Sequence, residues 1–296
     1  MKIKEAVDEW TEWLYFTGCE DSTVRKYEVL LTGWFKANSL MDYDVKLLDR
    51  KMLDSYINSK DRVGLATRRL KLHILKSFCK FCQGEGYNLK NPALLMKIRM
   101  KELTHKQKEA KERIPYSHEE YETLINGFNK YLTTAKGFNN LQRKPRCRFW
   151  RTASIISYWT GLRFGDVCNL ERDSFSGNSL IVWTDKRDKR VDLPLTPDYM
   201  GDGIVIDELN KILSEKPHYF PDEREIYNNL HTQCSLFKSF KRWSDGIGLE
   251  GRTFHCLRHS FVTRLHDDGV SLLDIGKLVG HANEKTTDGY CHSKKS

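Results

Sequence analysis

Residues 253–291 read TFHCLRHSFVTRLHDDGVSLLDIGKLVGHANEKTTDGYC, a dense array of histidine and arginine followed by a lone tyrosine near the end of the chain. His255 and His259 stand four apart, the spacing of the zinc-binding pair in a metalloprotease helix. That motif needs a glutamate base directly after the first histidine, and Cys256 stands there instead, so a metalloprotease reading fails. An isolated arginine is most often structural and paired with a carboxylate. Whether Arg258 is such a residue depends on what accompanies it elsewhere in the chain.

Upstream, residues 148–170 read RFWRTASIISYWTGLRFGDVCNL, a long apolar run that ends at Thr160-Gly161, where glycine allows a tight turn before Arg163. Residues 114–128, IPYSHEEYETLINGF, open with Ser117 and Glu120 in a capping-box pattern that predicts an amphipathic helix. Residues 179–195, SLIVWTDKRDKRVDLPL, place β-formers on both sides of a charged tip, which predicts a β-hairpin. The remainder of this half reads as mostly helical.

The first hundred residues read as helices with short breaks. Ser22 is a fitting N-cap for STVRKYEVLLTGWFKAN, in which Val24, Tyr27, Leu30, Leu31, Trp34 and Phe35 share one apolar face. Thr67 similarly opens TRRLKLHILKSFCKFCQ, with Leu70, Ile74, Leu75, Phe78, Phe81 and Cys82 facing a core. Shorter segments near Ala6–Phe16 and Lys46–Ser59 complete a small helical bundle ending near Asn91-Pro92. Residues 97–113, KIRMKELTHKQKEAKER, have little apolar periodicity and many cations, and read as a basic linker. The expected organisation is an all-helical domain over 1–96, the linker over 97–113, and an α-rich domain with a small β-sheet over 114–296. The fold class is mainly α.

Composition narrows the function classes. The 296-residue chain carries 49 Lys and Arg against 40 Asp and Glu, a net charge of +9, which favours a polyanionic partner such as nucleic acid. No apolar run approaches the roughly 20 residues that span a bilayer, and the start MKIKEAVDEW has no signal-peptide core, so a cytoplasmic protein with no membrane partner is expected. Its 8 cysteines are scattered and read as reduced thiols. Cys79 and Cys82 form a C-x-x-C, but they fall on the apolar face of a helix and no second pair completes a metal site, so they read as buried core. The Walker pattern G-x-x-x-x-G-K-[ST] does not occur in the sequence.

Taken together, the motifs resemble the tyrosine recombinase (phage integrase) family. That family's signature is an H-x-x-R, a G-H about twenty residues on, and then a tyrosine, matched here by His255, Arg258, His281 and Tyr290. The family's T-G-L-R-x-x-E/D box matches Thr160–Asp166 and supplies Arg163 and a supporting carboxylate, Asp166. Its hairpin lysine box, T-G-K-G-x-K-x-R-x-x-P-L, is similar to TDKRDKRVDLPL and points to Lys186, with Lys189 as an alternative; Asp185 and Arg187 replace the usual glycines. The resemblance covers about Ile114 to Tyr290, and the first domain looks like the family's helical, SAM-like core-binding domain.

The resemblance implies an enzyme that cleaves and rejoins DNA through a 3′-phosphotyrosine at Tyr290. Arg163, Arg258 and His281 would hold the phosphate, His255 would act as base and Lys186 as general acid. It implies no metal, nucleotide or other cofactor, and as partner a duplex with inverted-repeat core sites, bound by a homotetramer at the nucleoid. Many relatives continue past the tyrosine with a helix that docks on a neighbouring protomer. Only CHSKKS follows Tyr290 here, so tetramer contacts come from elsewhere or the natural protein extends further. The expected organisation has no counterpart of the additional arm-binding domain of many phage integrases. Arg68, Arg69 and Lys71 on the polar face of the TRRLKLH helix could enter a major groove. Arg143, Lys144, Arg146 and Arg148, with Arg151, form a cation cluster suited to phosphate contact. The alternatives are a type IB topoisomerase, disfavoured by the core-binding-like domain, and a non-cutting DNA-binding protein of recombinase descent, which has no need of all six chemical groups.

Overall fold

The computed structural model describes residues 1–57, 64–88, 90–98, 114–176, 179–184, 189–194, 196, 203–229 and 232–280, without the side chains of 138–142, 176 and 189. The chain separates into two compact units, Met1–His105 and Lys106–Ser296.

Among the described residues of the first unit, the helices α1 (Ile3–Phe16), α2 (Asp21–Ala37), α3 (Arg50–Ile57) and α4 (Leu65–Gly84) surround one core, with a 3-10 turn at Val45–Leu47. The apolar faces read from periodicity point inward: Val24, Leu31, Phe35, Ile74 and Phe78 are fully buried, and Ile3, Trp10 and Leu53 join them in the core. Trp10 packs edge-on against Phe78 with ring centroids 5.6 Å apart, and its indole N–H donates to Ser77 Oγ at 3.2 Å. Such a pairing suits a large aromatic, whose burial contributes about 1.5–3 kcal/mol only if the polar edge finds a partner. Two helix starts differ from expectation. α2 begins at Asp21 with Glu20 as N-cap, and α4 begins at Leu65 with Gly64 as N-cap, so Ser22 and Thr67 both fall inside the first turn. Neither helix has a side-chain cap; in each the residue before the first helical position is extended.

The second unit holds α5 (His118–Thr134), α6 (Phe138–Thr160), α7 (Phe164–Cys168), strands β1 (Phe175–Ser176), β2 (Ser179–Thr184) and β3 (Lys189–Pro194), and then α8 (Ile204–Asn210), α9 (Pro221–Asn228), α10 (Gln233–Gly246), α11 (Phe254–Asp267) and α12 (Leu272–Leu278). α5 starts as predicted: Ser117 Oγ accepts from Glu120 N at 3.1 Å, while Ser117 N donates to the Glu120 carboxylate at 2.9 Å. The expected hairpin is β2 with β3, antiparallel from Ser179↔Pro194 to Thr184↔Lys189. β1 adds a third antiparallel strand beside β2, too short to register as a sequence pattern. The result is mainly helical with one small sheet.

Trp150 of α6 is the centre of this unit's core. Fully buried, it stacks on Phe164 at 5.2 Å and meets Phe240 at 5.0 Å and Phe254 at 5.7 Å, while its indole N–H donates to Ser239 Oγ at 2.8 Å. One side chain thereby joins α6, α7, α10 and α11. Two of these, α7 and α11, begin beside or carry the arginines singled out in the sequence.

Candidate active site

The site grows from the end of α6. Gly161 takes a φ of +67°, and a Cβ there would lie 2.4 Å from Phe261 Cδ1, so both backbone and space require glycine. The turn is braced by side chains from α6: Thr160 Oγ1 accepts from Leu162 N at 3.2 Å, and Ser157 Oγ donates to Leu162 O at 3.0 Å. The chain then delivers Arg163 as N-cap of α7. Its backbone N–H donates to Asp166 Oδ2 at 3.1 Å, and its guanidinium lies 3.9 Å from the same oxygen. Asp166 is 2% exposed and the Arg163 side chain 24%, so a buried carboxylate orients a partly open cation.

Arg258 comes from α11 and is itself 1% exposed. It donates from one terminal nitrogen to Gly161 O and from the other to Val279 O, both at 2.6 Å. Arg163 Nη2 also reaches Gly280 O, at 3.4 Å. Between them the two guanidiniums bond the backbone of Gly161 and of Val279–Gly280, two stretches far apart in sequence. His255 sits on α11 one turn before Arg258 and is partly buried; its ring meets that of buried His259 edge-on at 5.1 Å. Carbonyl partners fix the plane and direction of a guanidinium. Lys186, His281 and Tyr290 lie outside the described residues, as does the side chain of Lys189, whose backbone pairs with Thr184. His281 is the next residue in the chain after Gly280.

The remaining cations divide by surroundings. On α4, Arg69 is exposed, Arg68 is half-buried, and Lys71 turns back to donate to Tyr56 O at 3.2 Å with its ammonium 4.7 Å from the Tyr56 ring centre. On α6, Arg143 and Arg148 are exposed, Lys144 is half-buried, and Arg146 lies 3.6 Å from Glu223. Arg151 is internal, bonded to Glu208 and to Asn129 Oδ1 at 2.6 Å. A cavity of about 380 Å³ is lined by Arg143, Arg146 and Arg242 together with Tyr131, Trp243 and Ser239. Arg242 and the ring pair were not evident in the sequence, because α6 and α10 meet only in the fold. Among the described residues no group of three His, Cys, Asp or Glu could hold a metal ion.

Cys79 and Cys82 are buried and free, as their helical spacing implied, and burial pushes the Cys79 thiol up to about 12 and Cys82 higher still. Neither thiol is poised for redox or metal chemistry.

Residues 117–296 match the Phage integrase family. Over 146 residues the chain is 32% identical to the tyrosine recombinase XerD of Lacticaseibacillus casei, an alignment covering 46% of this chain and 48% of that protein, so it spans about half of that relative. Over 296 aligned residues it is 25% identical to the tyrosine recombinase XerA of Pyrococcus horikoshii, covering 97% of this chain and 88% of that one. Among solved structures, a lambda integrase tetramer bound to a Holliday junction aligns with a TM-score of 0.75 at 17% identity, over 100% of this chain and 79% of the other. The XerH recombinase in a post-cleavage complex with palindromic difH aligns at 0.63 and 19% identity, over 92% and 76%. At these identities the structural likeness carries the fold.

Proposed function

The chain belongs to the phage integrase family of tyrosine recombinases, and from that premise we propose that it is a site-specific DNA recombinase that cleaves and religates strands through Tyr290. The observation that carries the reading is that buried Arg258 and partly open Arg163 donate to the carbonyls of the adjacent residues Val279 and Gly280.

A phosphodiester under attack gathers charge on its non-bridging oxygens, and two rigid guanidiniums can neutralise and orient them. In this reading the Tyr290 phenol loses its proton to His255 and its oxygen attacks phosphorus. The bond from phosphorus to the 5′ oxygen breaks, Lys186 protonates the departing oxygen, and the 3′ phosphate stays on Tyr290. His281 is a further phosphate donor, and Asp166 holds Arg163 in place. Reversal by another strand's 5′ hydroxyl conserves the bond energy, so ATP is not required, and the arginines supply the charge a divalent metal would.

Residues 1–96 would form a core-binding domain, 97–113 a basic linker and 114–296 the catalytic domain. The partner is duplex DNA with inverted-repeat core sites, bound by a homotetramer; the lambda integrase tetramer on a Holliday junction supports that assembly. Arg68, Arg69, Lys71, Arg143, Lys144, Arg146 and Arg148 are the proposed DNA contacts. No helix among the described residues is long and apolar enough to cross a membrane. In this reading the enzyme works in the cytoplasm, at the nucleoid, where its DNA substrate lies.

The test is incubation of wild type and Tyr290→Phe with nicked duplexes made from the DNA flanking the gene, in EDTA, followed by denaturing electrophoresis. A covalent adduct from wild type alone is expected. Specific binding by both proteins with no adduct would replace this reading with that of a non-cutting DNA-binding protein.

A further inference from the structure

α12 ends in a turn whose backbone does more than connect. Val279 N donates to Ile275 O at 3.0 Å and Gly280 N to Lys277 O at 3.1 Å, while Gly280 adopts a φ of +65°. The carbonyls of these two residues face the arginines: Val279 O accepts from Arg258 and Gly280 O from Arg163. The opposite face of Gly280 is pressed on the hairpin. A Cβ there would lie 3.0 Å from Val191 Cγ2, 3.3 Å from Thr184 Cγ2 and 3.9 Å from Arg163 Nη1. Val191 and Thr184 are 1% and 2% exposed and belong to paired strands, and Thr184↔Lys189 is the last pair before residues 185–188. Both are β-branched and buried, so neither can swing aside.

We propose that Gly280 is a positioning residue for strand cleavage: its missing side chain lets the turn seat on the hairpin and so fixes the carbonyls that aim Arg163 and Arg258 at the phosphate. The same contact ties the strands flanking Lys186 to the residue preceding His281. The inference rests on the recombinase reading and adds to it the element that sets the relative position of the arginine pair and the hairpin. Alanine at this position is strained at a φ of +65° and forces the turn and the two buried side chains apart by a few tenths of an ångström, moving both carbonyls. A displacement of about 1 Å in groups that hold the reacting phosphate costs about a hundredfold in rate, so this smaller shift is expected to cost about tenfold.

Wild type, Gly280→Ala and the double variant Gly280→Ala/Val191→Ala are compared in single-turnover cleavage of the nicked duplex bound by wild type, alongside its DNA affinity and thermal midpoint. The same duplex is also made with a methylphosphonate at the scissile position, whose neutral phosphorus centre asks less of the arginines. Gly280→Ala is expected to keep DNA affinity and lose about tenfold on the phosphodiester but under about threefold on the methylphosphonate. Removing Val191 Cγ2, the nearer of the two contacts, is expected to restore about threefold of the lost rate. Equal losses on both substrates, no loss, no recovery in the double variant, or a loss accompanied by unfolding would each overturn the positioning role while leaving the recombinase reading in place. A wild type that binds the duplex and forms no adduct would remove both.

Discussion

A cation buried as deeply as Arg258 must be compensated, and the form of compensation decides what it can do. Two main-chain carbonyls at 2.6 Å satisfy donors of Arg258 and fix the plane of its guanidinium. Arg258→Lys puts one point charge where a planar fork bridged two carbonyls. It is expected to cost about 1–3 kcal/mol in urea unfolding, since a buried acceptor loses its donor, and to lower adduct formation by about a hundredfold or more. Loss of adduct with unchanged stability would mean that the carbonyl ties contribute nothing to folding. Thiol reactivity is also decided one residue at a time. Burial raises Cys79 and Cys82, whereas Cys234 is exposed, so iodoacetamide on the native protein at neutral pH is expected to modify Cys234 and spare the pair. Peptide mass mapping checks this; labelling of Cys79 in folded protein would contradict its burial.

Between elements, the clearest polar joint is Glu208, where α8 is fastened to α6. It is 4% exposed and is bonded by Arg151, by Lys211 at 2.5 Å and by Thr152 at 3.4 Å. Burial raises its carboxyl, but the hydrogen bonds from Lys211 and Arg151 outweigh this and hold it below the usual carboxylate range. A carboxyl lowered in the folded state contributes stability that is complete above its unfolded value and disappears as pH falls through the folded one. Glu208→Gln is therefore expected to destabilise by about 2 kcal/mol at pH 7, the Lys211 arm being exposed and screened. The gap from wild type should close as pH falls below about 4. Denaturant melts across pH read it directly, and a gap that widened in acid would reverse the assignment. This joint also shows where sequence stops speaking. The Ser117–Glu120 box, the Gly161 turn and the hairpin were legible because each is set by neighbours a few residues apart. Arg151 read as one more surface cation of its cluster, and only the fold shows Glu208 beside it. Likewise the motifs mark Arg163, Asp166 and Arg258, but nothing local states that Gly161 and Val279, at separations of 97 and 21 residues, hold Arg258. The helix starts at Asp21 and Leu65 were missed for the converse reason: packing of the apolar face fixed them where the best capping side chain did not.

For the molecule as a whole, the net charge of +9 matters only through where it is displayed. Some of the cations are committed within the fold: Arg151 to Glu208 and Arg252 to Glu120 at 2.5 Å. Lys71 is turned onto Tyr56. What remains outward on α6 includes Arg143 and Arg148, with Arg146 and Arg242 around the aromatic wall of Trp243 and Tyr131. If this face follows a phosphate backbone, each contact releases condensed counterions, and the logarithm of affinity falls with the logarithm of salt by about 0.9 per phosphate. Arg143→Gln/Arg148→Gln should then weaken binding to specific and random duplexes alike and reduce the salt slope by up to about 1.8. Arg151→Gln should instead lower stability and leave the slope alone, because its charge is already committed within the fold. Affinities measured from low to moderate salt separate the two classes. A slope unchanged in the double variant would move the phosphate contacts to another face, and a slope reduced in Arg151→Gln would mean that the ion pair with Glu208 opens when DNA is bound.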